Sequence, residues 1–498
     1  MSKVIIIGSG IGGLTAGNLL AKKGHSVTIF ESHSAPGGYT AGFWTKGFYF
    51  ESGTLSFEAS GSIFKAMKDI GVYDKIDFVR QKSRWVSADF DGLLENYADF
   101  KKLILSAYPD EKERLNKYFA EVDRMYNAMP TDQPMAELYD GLSYTIKLTS
   151  SMLSGIKFMG IYKQYNDVTI DEFTAQYFEK DSKLYMLLKG LGYPEMSAWI
   201  IGGAVSSFLE DYWTVKSGMQ SWADVLAENF KSLGGELRLK SYVDKIITKN
   251  GTAVGVSCDG NIYDADYVIS AGDYKKTFLK LLDDQSLIPK DTLEGIKSAE
   301  VSEGIFTVYL GLNISNEKLN EYMKIPHVMY FDEKPGADVG NPNDAEYFQK
   351  VSFNLYSNSL FDSKLSPEGK SSLMIQAVSP RKWMDNWGNG DEGKYKELKE
   401  NAKNTLIQKA SLVIPDLANI IEYADSATPL TYERFTHNTD GATSAWSWNP
   451  KKRFYKNPIS NATNTPVKNL FIGSCWASQI GGVPGAIAAA YKCAKSIK

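Results

Sequence analysis

Near the amino terminus the run Gly8-Ser9-Gly10-Ile11-Gly12-Gly13 has the residue types and spacing that phosphate binding needs. Gly8 allows a tight turn, Gly10 lets the backbone approach a pyrophosphate, and Gly13 lets a helix pack on the preceding strand. The helix that follows, with Ile11 and Gly12 in the turn leading into it, directs unpaired N–H groups and a partial positive charge at the anion. Glu31 follows at the end of the next strand, placed to accept a hydrogen bond from a ribose 2′-hydroxyl. An acid at that point argues against NADP, whose 2′-phosphate wants a basic partner. At the far end of the chain, Gly481-Gly482-Val483-Pro484-Gly485 opens an Ala-rich helix over 486–495. Pro484 suits a first helical turn because its missing N–H would be unpaired there anyway. That helix start also leaves N–H groups free to face a negative charge.

These groups need elements to position them. Val4-Ile5-Ile6-Ile7 is a continuous apolar run of the kind found in buried parallel strands. Leu14, Leu19 and Leu20 keep helical spacing over 14–23, Gly24 ends that helix, and 26–30 reads as a second strand. Strand, glycines, helix, strand and terminal acid in this order make a dinucleotide-binding βαβ unit. Asn469-Leu470-Phe471-Ile472-Gly473-Ser474 reads as a strand ending in a tight turn before the last helix. Between them, a helix over 222–233 closes at Gly234-Gly235, strands alternate over 236–257, and 267–273 brings the chain back to the sheet.

The chain has 498 residues, which predicts two or three domains. A net charge of -4, with both signs dispersed, gives no reason to expect nucleic-acid binding. Cys258, Cys475 and Cys493 are widely spaced and histidine occurs only four times, so neither a disulfide framework nor a metal site is expected. The cysteine usage and the lack of an apolar run of about 20 residues point to a cytoplasmic protein.

Two further stretches carry a resemblance. Pro36-Gly37-Gly38-Tyr39 and Gly47-Phe48-Tyr49-Phe50-Glu51-Ser52-Gly53-Thr54 are similar to the extension shared by flavin amine oxidases and carotenoid desaturases. With Val168-Thr169-Ile170-Asp171-Glu172-Phe173, Ser197-Ala198-Trp199 and residues 428–436, the chain resembles the phytoene desaturase-like flavoproteins nearly end to end. That group includes carotenoid desaturases, carotenoid isomerases and retinol saturases. The resemblance implies FAD as cofactor and an α/β fold: a Rossmann-type domain of the two-dinucleotide-binding, glutathione reductase/amine oxidase-like class, with an antiparallel-sheet substrate domain and a helical lid. It further implies that Gly38, Tyr39, Thr54, Gly473 and Ser474 join the cofactor site, that the Val243 backbone meets the adenine, and that Gly482 and Val483 face the flavin N1–C2=O edge. Residues 1–60, 213–300 and 426–498 are expected to form the FAD domain, 61–212 the lid, and 301–425 the sheet domain. In the lid, Pro109-Asp110 starts a helix with Leu115, Tyr118, Phe119, Val122 and Met125 on one apolar face, and Thr169 with Glu172 reads as a capping box. In the sheet domain, 305–312, 327–331, 348–356 and 372–378 read as strands.

Three positions depart from the family's pattern. Tyr39 stands where relatives usually carry Arg, Ser474 where amine oxidases often carry an acid, and Thr443-Ser444 where an aromatic residue is expected after Gly441-Ala442. No acid–base constellation stands out; His327 falls in a strand-like run and His437 in a polar loop near the flavin. Hydride transfer with a flavin relies on the cofactor, a held C–H bond and a dry pocket rather than on a protein nucleophile. The foremost reading is therefore an FAD-dependent desaturase, saturase or isomerase of a hydrophobic polyisoprenoid. A flavin amine oxidase on a smaller substrate and a non-catalytic prenyl-binding protein of the GDP-dissociation-inhibitor type are the competing readings. Residues 148–165 and 199–213, rich in aromatics with lysines in the first, are candidates for peripheral membrane contact.

Overall fold

The computed structural model describes residues 1–498 apart from 129–134, 181, 333–337, 381 and 458–461, together with the side chains of 150–154. Strand β1 (Lys3–Ile7), helix α1 (Ile11–Lys22) and strand β2 (Ser26–Phe30) form the opening unit. Helix α2 (Met219–Ser232) and helix α3 (Gly482–Ser496) lie beside α1. A five-stranded parallel sheet runs in the order Leu470–Ile472, Tyr267–Ser270, β1, β2, Glu236–Arg238.

The apolar run in β1 is continuous because both of its faces are covered. Val4 and Ile6 point into a core built with Leu14 and Leu20 of α1, Trp222 and Phe230 of α2, and Ile487 of α3. Ile5 points the other way, onto Val243, Ile246 and Val256 of a three-stranded antiparallel meander (Val243–Lys249, Thr252–Cys258, Asn261–Asp264). Side chains alternate between the faces of a strand, so a strand covered on both needs no polar residue.

The second sheet has seven strands, in the order Ile421–Ala427, Gly304–Leu312, Ser371–Ser379, Phe353–Tyr356, His327–Tyr330, Ser83–Val86, Asp91–Leu94. Phe306, Val308 and Leu310 face a core closed by Leu398, Ala402 and Leu406 of the helix Glu392–Ala410. Tyr309, on the opposite face, packs with Phe48 and Phe50. Two features differ from the sequence reading. Ser83–Val86 and Asp91–Leu94, from the stretch read as helical lid, extend this sheet, and Ser83–Val86 pairs in parallel with His327–Tyr330. Of the strand expected over 348–356, Phe353–Tyr356 forms, while residues 348–350 belong to a helical turn, Tyr347–Lys350. Strand partners far apart in sequence decide both outcomes, and local periodicity carries no record of them.

The lid helices pack as their patterns predict. Leu115, Tyr118, Phe119, Val122 and Met125 of Lys112–Tyr126 are all buried. Thr169 and Glu172 form a reciprocal capping box, with Thr169 Oγ accepting from the Glu172 N–H at 3.1 Å. The helix Ile201–Glu210 is buried nearly throughout, so the candidate membrane face at 199–213 is a core element of the lid. No helix of the described residues is long and apolar enough to cross a membrane.

One buried carboxylate joins the two sheets. Glu51, fully buried, accepts from the Met219 N–H that starts α2 (3.1 Å), the Tyr49 hydroxyl (2.9 Å) and the Asn358 amide (2.7 Å). Three donors offset a desolvation cost that would otherwise be several kcal/mol for a buried charge. Burial still pushes the Glu51 carboxyl up to about 7 against those donors.

Candidate functional site

Gly8, with φ +97, turns the chain out of β1, and α1 starts at an extended Gly10 that supplies no side-chain cap. The first N–H groups of α1 therefore have no partner within the helix. A Cβ built on Gly10 meets no heavy atom within 4 Å and would stand in open space. Gly12 and Gly13 are tight for a different reason: Cβ atoms there would lie 2.3 Å from the Gly473 carbonyl and 2.1 Å from the Gly8 carbonyl. The second glycine pair folds back onto the first. Gly37 N–H donates to the Ser9 carbonyl (3.0 Å), and a Cβ on Gly38 would lie 3.3 Å from the Gly10 Cα.

Around this turn lies a cavity of about 800 Å³, at the upper end of the range for small-molecule and cofactor sites. Gly8, Gly10, Ile11, Gly12, Glu31, Gly38, Tyr39, Thr54, Val243, Ser474, Gly482 and Val483 all line it. Gly13 and Gly473 do not; they allow the backbone approaches that shape its wall. Glu31 and Val243, the start of α1, Thr443 and the start of α3 all line this one cavity. Helix α3, like α1, begins without a side-chain cap, at Gly481 and a left-handed Gly482 (φ +75). Asn96, Ser182, Ser315 and Asp391 cap four other helices, whereas α2 also starts uncapped, at Gly218, and spends its first N–H on Glu51. Each uncapped N-terminus stabilises a nearby anion by about 0.3–2 kcal/mol, the larger values when partly buried. Two such ends opening on one cavity, with space left beside Gly10, fit a phosphate-bearing dinucleotide.

Glu31 is already hydrogen-bonded by its own chain. One carboxylate oxygen accepts from the Ser9 N–H (2.8 Å) and Ser9 hydroxyl (2.7 Å), the other from the His33 N–H (2.9 Å) and Ser32 hydroxyl (3.2 Å). These bonds fix the carboxylate; the two hydroxyls can rotate away to admit a ribose hydroxyl. Tyr39 splits its hydroxyl proton between the Gly441 and Ala442 carbonyls, each at 3.0 Å, and stacks on Tyr432 at 5.8 Å. Where relatives would place a guanidinium, this chain has a neutral tether to the 441–442 loop, and burial holds the phenol well above its ordinary pKa. The Ser474 hydroxyl donates to the Gly272 carbonyl at 2.8 Å.

Several site residues carried no sequence signal of their own. Asp273 accepts from the Lys276 N–H (2.7 Å) and Thr439 N–H (2.6 Å), and burial raises its pKa. Lys276 pairs with Glu433 at 3.1 Å on the cavity wall. His437 stands against Tyr242 at 5.2 Å, near Glu31, so it belongs to the Glu31 end of the cavity and not to the far end. The left-handed turn at His437 after the helix Pro429–Thr436 takes it there. His327 lies outside the cavity, buried between the Tyr212 and Tyr356 rings, and burial lowers its pKa to about 4.

With the geometry described, comparisons with known proteins decide the family. Residues 11–498 match the family described as flavin-containing amine oxidoreductase. This chain belongs to that family. A 4,4′-diapophytoene desaturase (4,4′-diapolycopene-forming) of Methylomonas sp is 25% identical, over 91% of this chain and 88% of the relative. The chloroplastic prolycopene isomerase of Daucus carota is 24% identical, over 88% and 71%. Among solved structures, wild-type putrescine oxidase bound to putrescine superposes with a TM-score of 0.63 at 15% identity, over 100% of this chain and 98% of that one. An oxidoreductase from Methanosarcina mazei gives 0.63 at 16% identity, over 98% and 99%. The protein is an FAD-dependent oxidoreductase of the phytoene desaturase-like group.

The two kinds of glycine predict opposite outcomes. Gly10→Val leaves a folded protein that binds FAD at least ~100-fold more weakly, a loss of about 2.7 kcal/mol. Gly12→Val, which forces a side chain into the Gly473 carbonyl, lowers the melting temperature itself. Flavin absorbance after gel filtration and thermal unfolding separate the two; a Gly10→Val protein that retains FAD contradicts the assignment.

Proposed function

We propose that this enzyme moves a hydride between FAD and a hydrophobic polyisoprenoid, with the cofactor lying along the cavity between α1 and α3. The observation that carries the reading is the single cavity onto which both uncapped helix starts open. In this placement the N–H groups of Ile11 and Gly12 bind the pyrophosphate, Glu31 takes the ribose, and Val243 lies against the adenine. The start of α3 at Gly482 and Val483 faces the flavin edge. The names of the relatives, desaturases and isomerases of carotenoid-type molecules, support the substrate class.

Bound FAD supplies an acceptor or donor for a hydride. The chain's part is to bind, orient and exclude water. The start of α3 presents backbone dipoles where negative charge develops, which stabilises that charge without reorganisation. The apolar core of the lid reaches that helix start: Ile480, just before it, packs against the cluster that holds Trp199, and Tyr193 stacks on Trp448 at 4.1 Å in the same cluster. An apolar neighbour of this kind suits a polyene better than a small cation. Adding a polyene such as phytoene to the anaerobic holoenzyme is expected to bleach the oxidised-flavin bands, and a diamine is expected to leave them unchanged. Bleaching by the diamine alone overturns the substrate class.

The helix Gly141–Tyr165 supports a route for such a substrate, docking on an anionic lipid surface. Its inner face packs on the lid, with Phe158 and Tyr162 at 5.3 and 5.6 Å from Trp199 and with Ile161 and Tyr165 buried. Its outer face exposes Leu142 (76%), Ile146 (61%), Ile156 (70%) and Met159 (42%). Its charged residues are Lys147, Lys157 and Lys163, with no acid from 141 to 165. An apolar face flanked by lysines fits an interfacial helix on acidic headgroups. Cosedimentation with phosphatidylglycerol vesicles is expected to exceed that with phosphatidylcholine. Ile156→Asp should lower it roughly tenfold, since burying such a side chain contributes about 1.5–3 kcal/mol. Equal binding to both vesicle types, unchanged by Ile156→Asp, contradicts the docking.

A further inference from the structure

Glu58 is a carboxyl whose position the fold fixes on both sides without giving it a partner. Before it, Phe57 exchanges two backbone hydrogen bonds with Trp213, at 2.8 and 2.9 Å. After it, Ala59 holds a left-handed conformation (φ 58), and the Ser60 N–H donates to Asp211 at 3.1 Å. A non-glycine residue in that conformation is kept only where its surroundings enforce it. The enforced turn sends the half-buried Glu58 side chain to the start of α3, where Oε1 lies 3.7 Å from the position a Cβ would take on Gly482. Gly482 lines the cofactor cavity.

Among the described residues no cation and no other residue's donor pairs with this carboxyl; only its own backbone N–H reaches it. The groups that face it are Asp211, which follows the helix Ile201–Glu210, and the phenols of Tyr193 and Tyr212. Beyond Tyr193 lies Glu303, which accepts from the Thr443 hydroxyl at 3.2 Å on the cavity wall. None of these groups brings positive charge. Burial, reinforced by Asp211, pushes the Glu58 carboxyl up to about 7. A carboxyl with no partner, held beside a cavity, is costly to keep charged, and such groups cluster where protons are exchanged.

We propose that Glu58 is the proton acceptor of the redox cycle. The inference rests on the placement of the flavin edge at the start of α3. As substrate is desaturated, one C–H bond gives its hydrogen and electron pair to FAD. The neighbouring C–H bond gives its proton to the Glu58 carboxylate, and the electron pair left behind becomes the new double bond. Two electrons end on FAD and one proton on Glu58. A second negative charge at the same helix start would be repelled by the reduced cofactor, so reduction itself raises the proton affinity of Glu58. In a reaction run toward saturation the same carboxylic acid returns the proton.

The test needs no substrate. Anaerobic photoreduction of the FAD-loaded enzyme at pH 8, in weak buffer with a pH indicator, is expected to take up one proton more per flavin in the native protein than in Glu58→Gln. Equal uptake by the two overturns the proposal. Should Glu58→Gln fail to retain FAD, reduced-minus-oxidised infrared spectra of the native protein decide. A protonated-carboxyl band that appears on reduction and shifts in Glu58→Asp supports the proposal; no such band, or one that stays put in Glu58→Asp, overturns it. A structure of the holoenzyme with the flavin edge away from Gly482 would instead remove the placement on which the inference rests.

Discussion

The beginning and the end of this chain touch at one point where no side chain fits. A Cβ on Gly12 would stand 2.3 Å from the carbonyl of Gly473, so α1 and the turn after the last strand meet backbone to backbone. That approach lets Tyr267–Ser270 separate β1 from Leu470–Ile472 by one strand position while both helix starts open on the same side. It also seats α3 beside α1, with Ile487 and Leu14 in one core. Ligands of open parallel sheets bind at the carboxyl ends of the strands, and in this chain the first and last strands both deliver their loops there. Nearly everything else serves to hold that junction: the meander behind β1, the Glu51 network joining α2 to the second sheet, and the Tyr39 tether to the 441–442 loop.

Two charge effects compete in the cavity, and their sizes suggest how the site operates. A helix N-terminus contributes at most about 2 kcal/mol to an anion, whereas burying an unpaired carboxylate costs several kcal/mol. The start of α3 can therefore offset part of the cost of one negative charge and little of a second. Four donors surround Glu31; Asp273 has two backbone N–H donors, and burial still raises its pKa against them. Glu58 has neither arrangement, which sets it apart from the structural acids of the same cavity.

What was legible in the sequence was the chemistry done by backbone. Gly8, Gly10, Gly13 and Gly482 announce themselves because a turn, an open approach or an uncapped helix start is a local requirement that few residues meet. The capping box at Thr169 and Glu172 and the apolar face from Leu115 to Met125 were legible for the same reason. What stayed hidden depends on partners distant in sequence. The parallel pairing of Ser83–Val86 with His327–Tyr330 has no local signature, and His437 reaches the Glu31 end only through the turn that carries it. Glu58, in a loop among small and apolar residues, has no motif around it in the sequence. Its character comes from Trp213, Asp211 and Gly482, which lie 150 or more residues away and meet it only in the fold.

The central claim is that one dinucleotide spans the two ends of the chain. A crystal structure of the purified protein with FAD tests it most directly. The account predicts the pyrophosphate on the N–H groups of Ile11 and Gly12, the ribose at Glu31, and the isoalloxazine edge at Gly482 and Val483. A flavin bound elsewhere, or one that reaches α1 but leaves the start of α3 without contact, would contradict it.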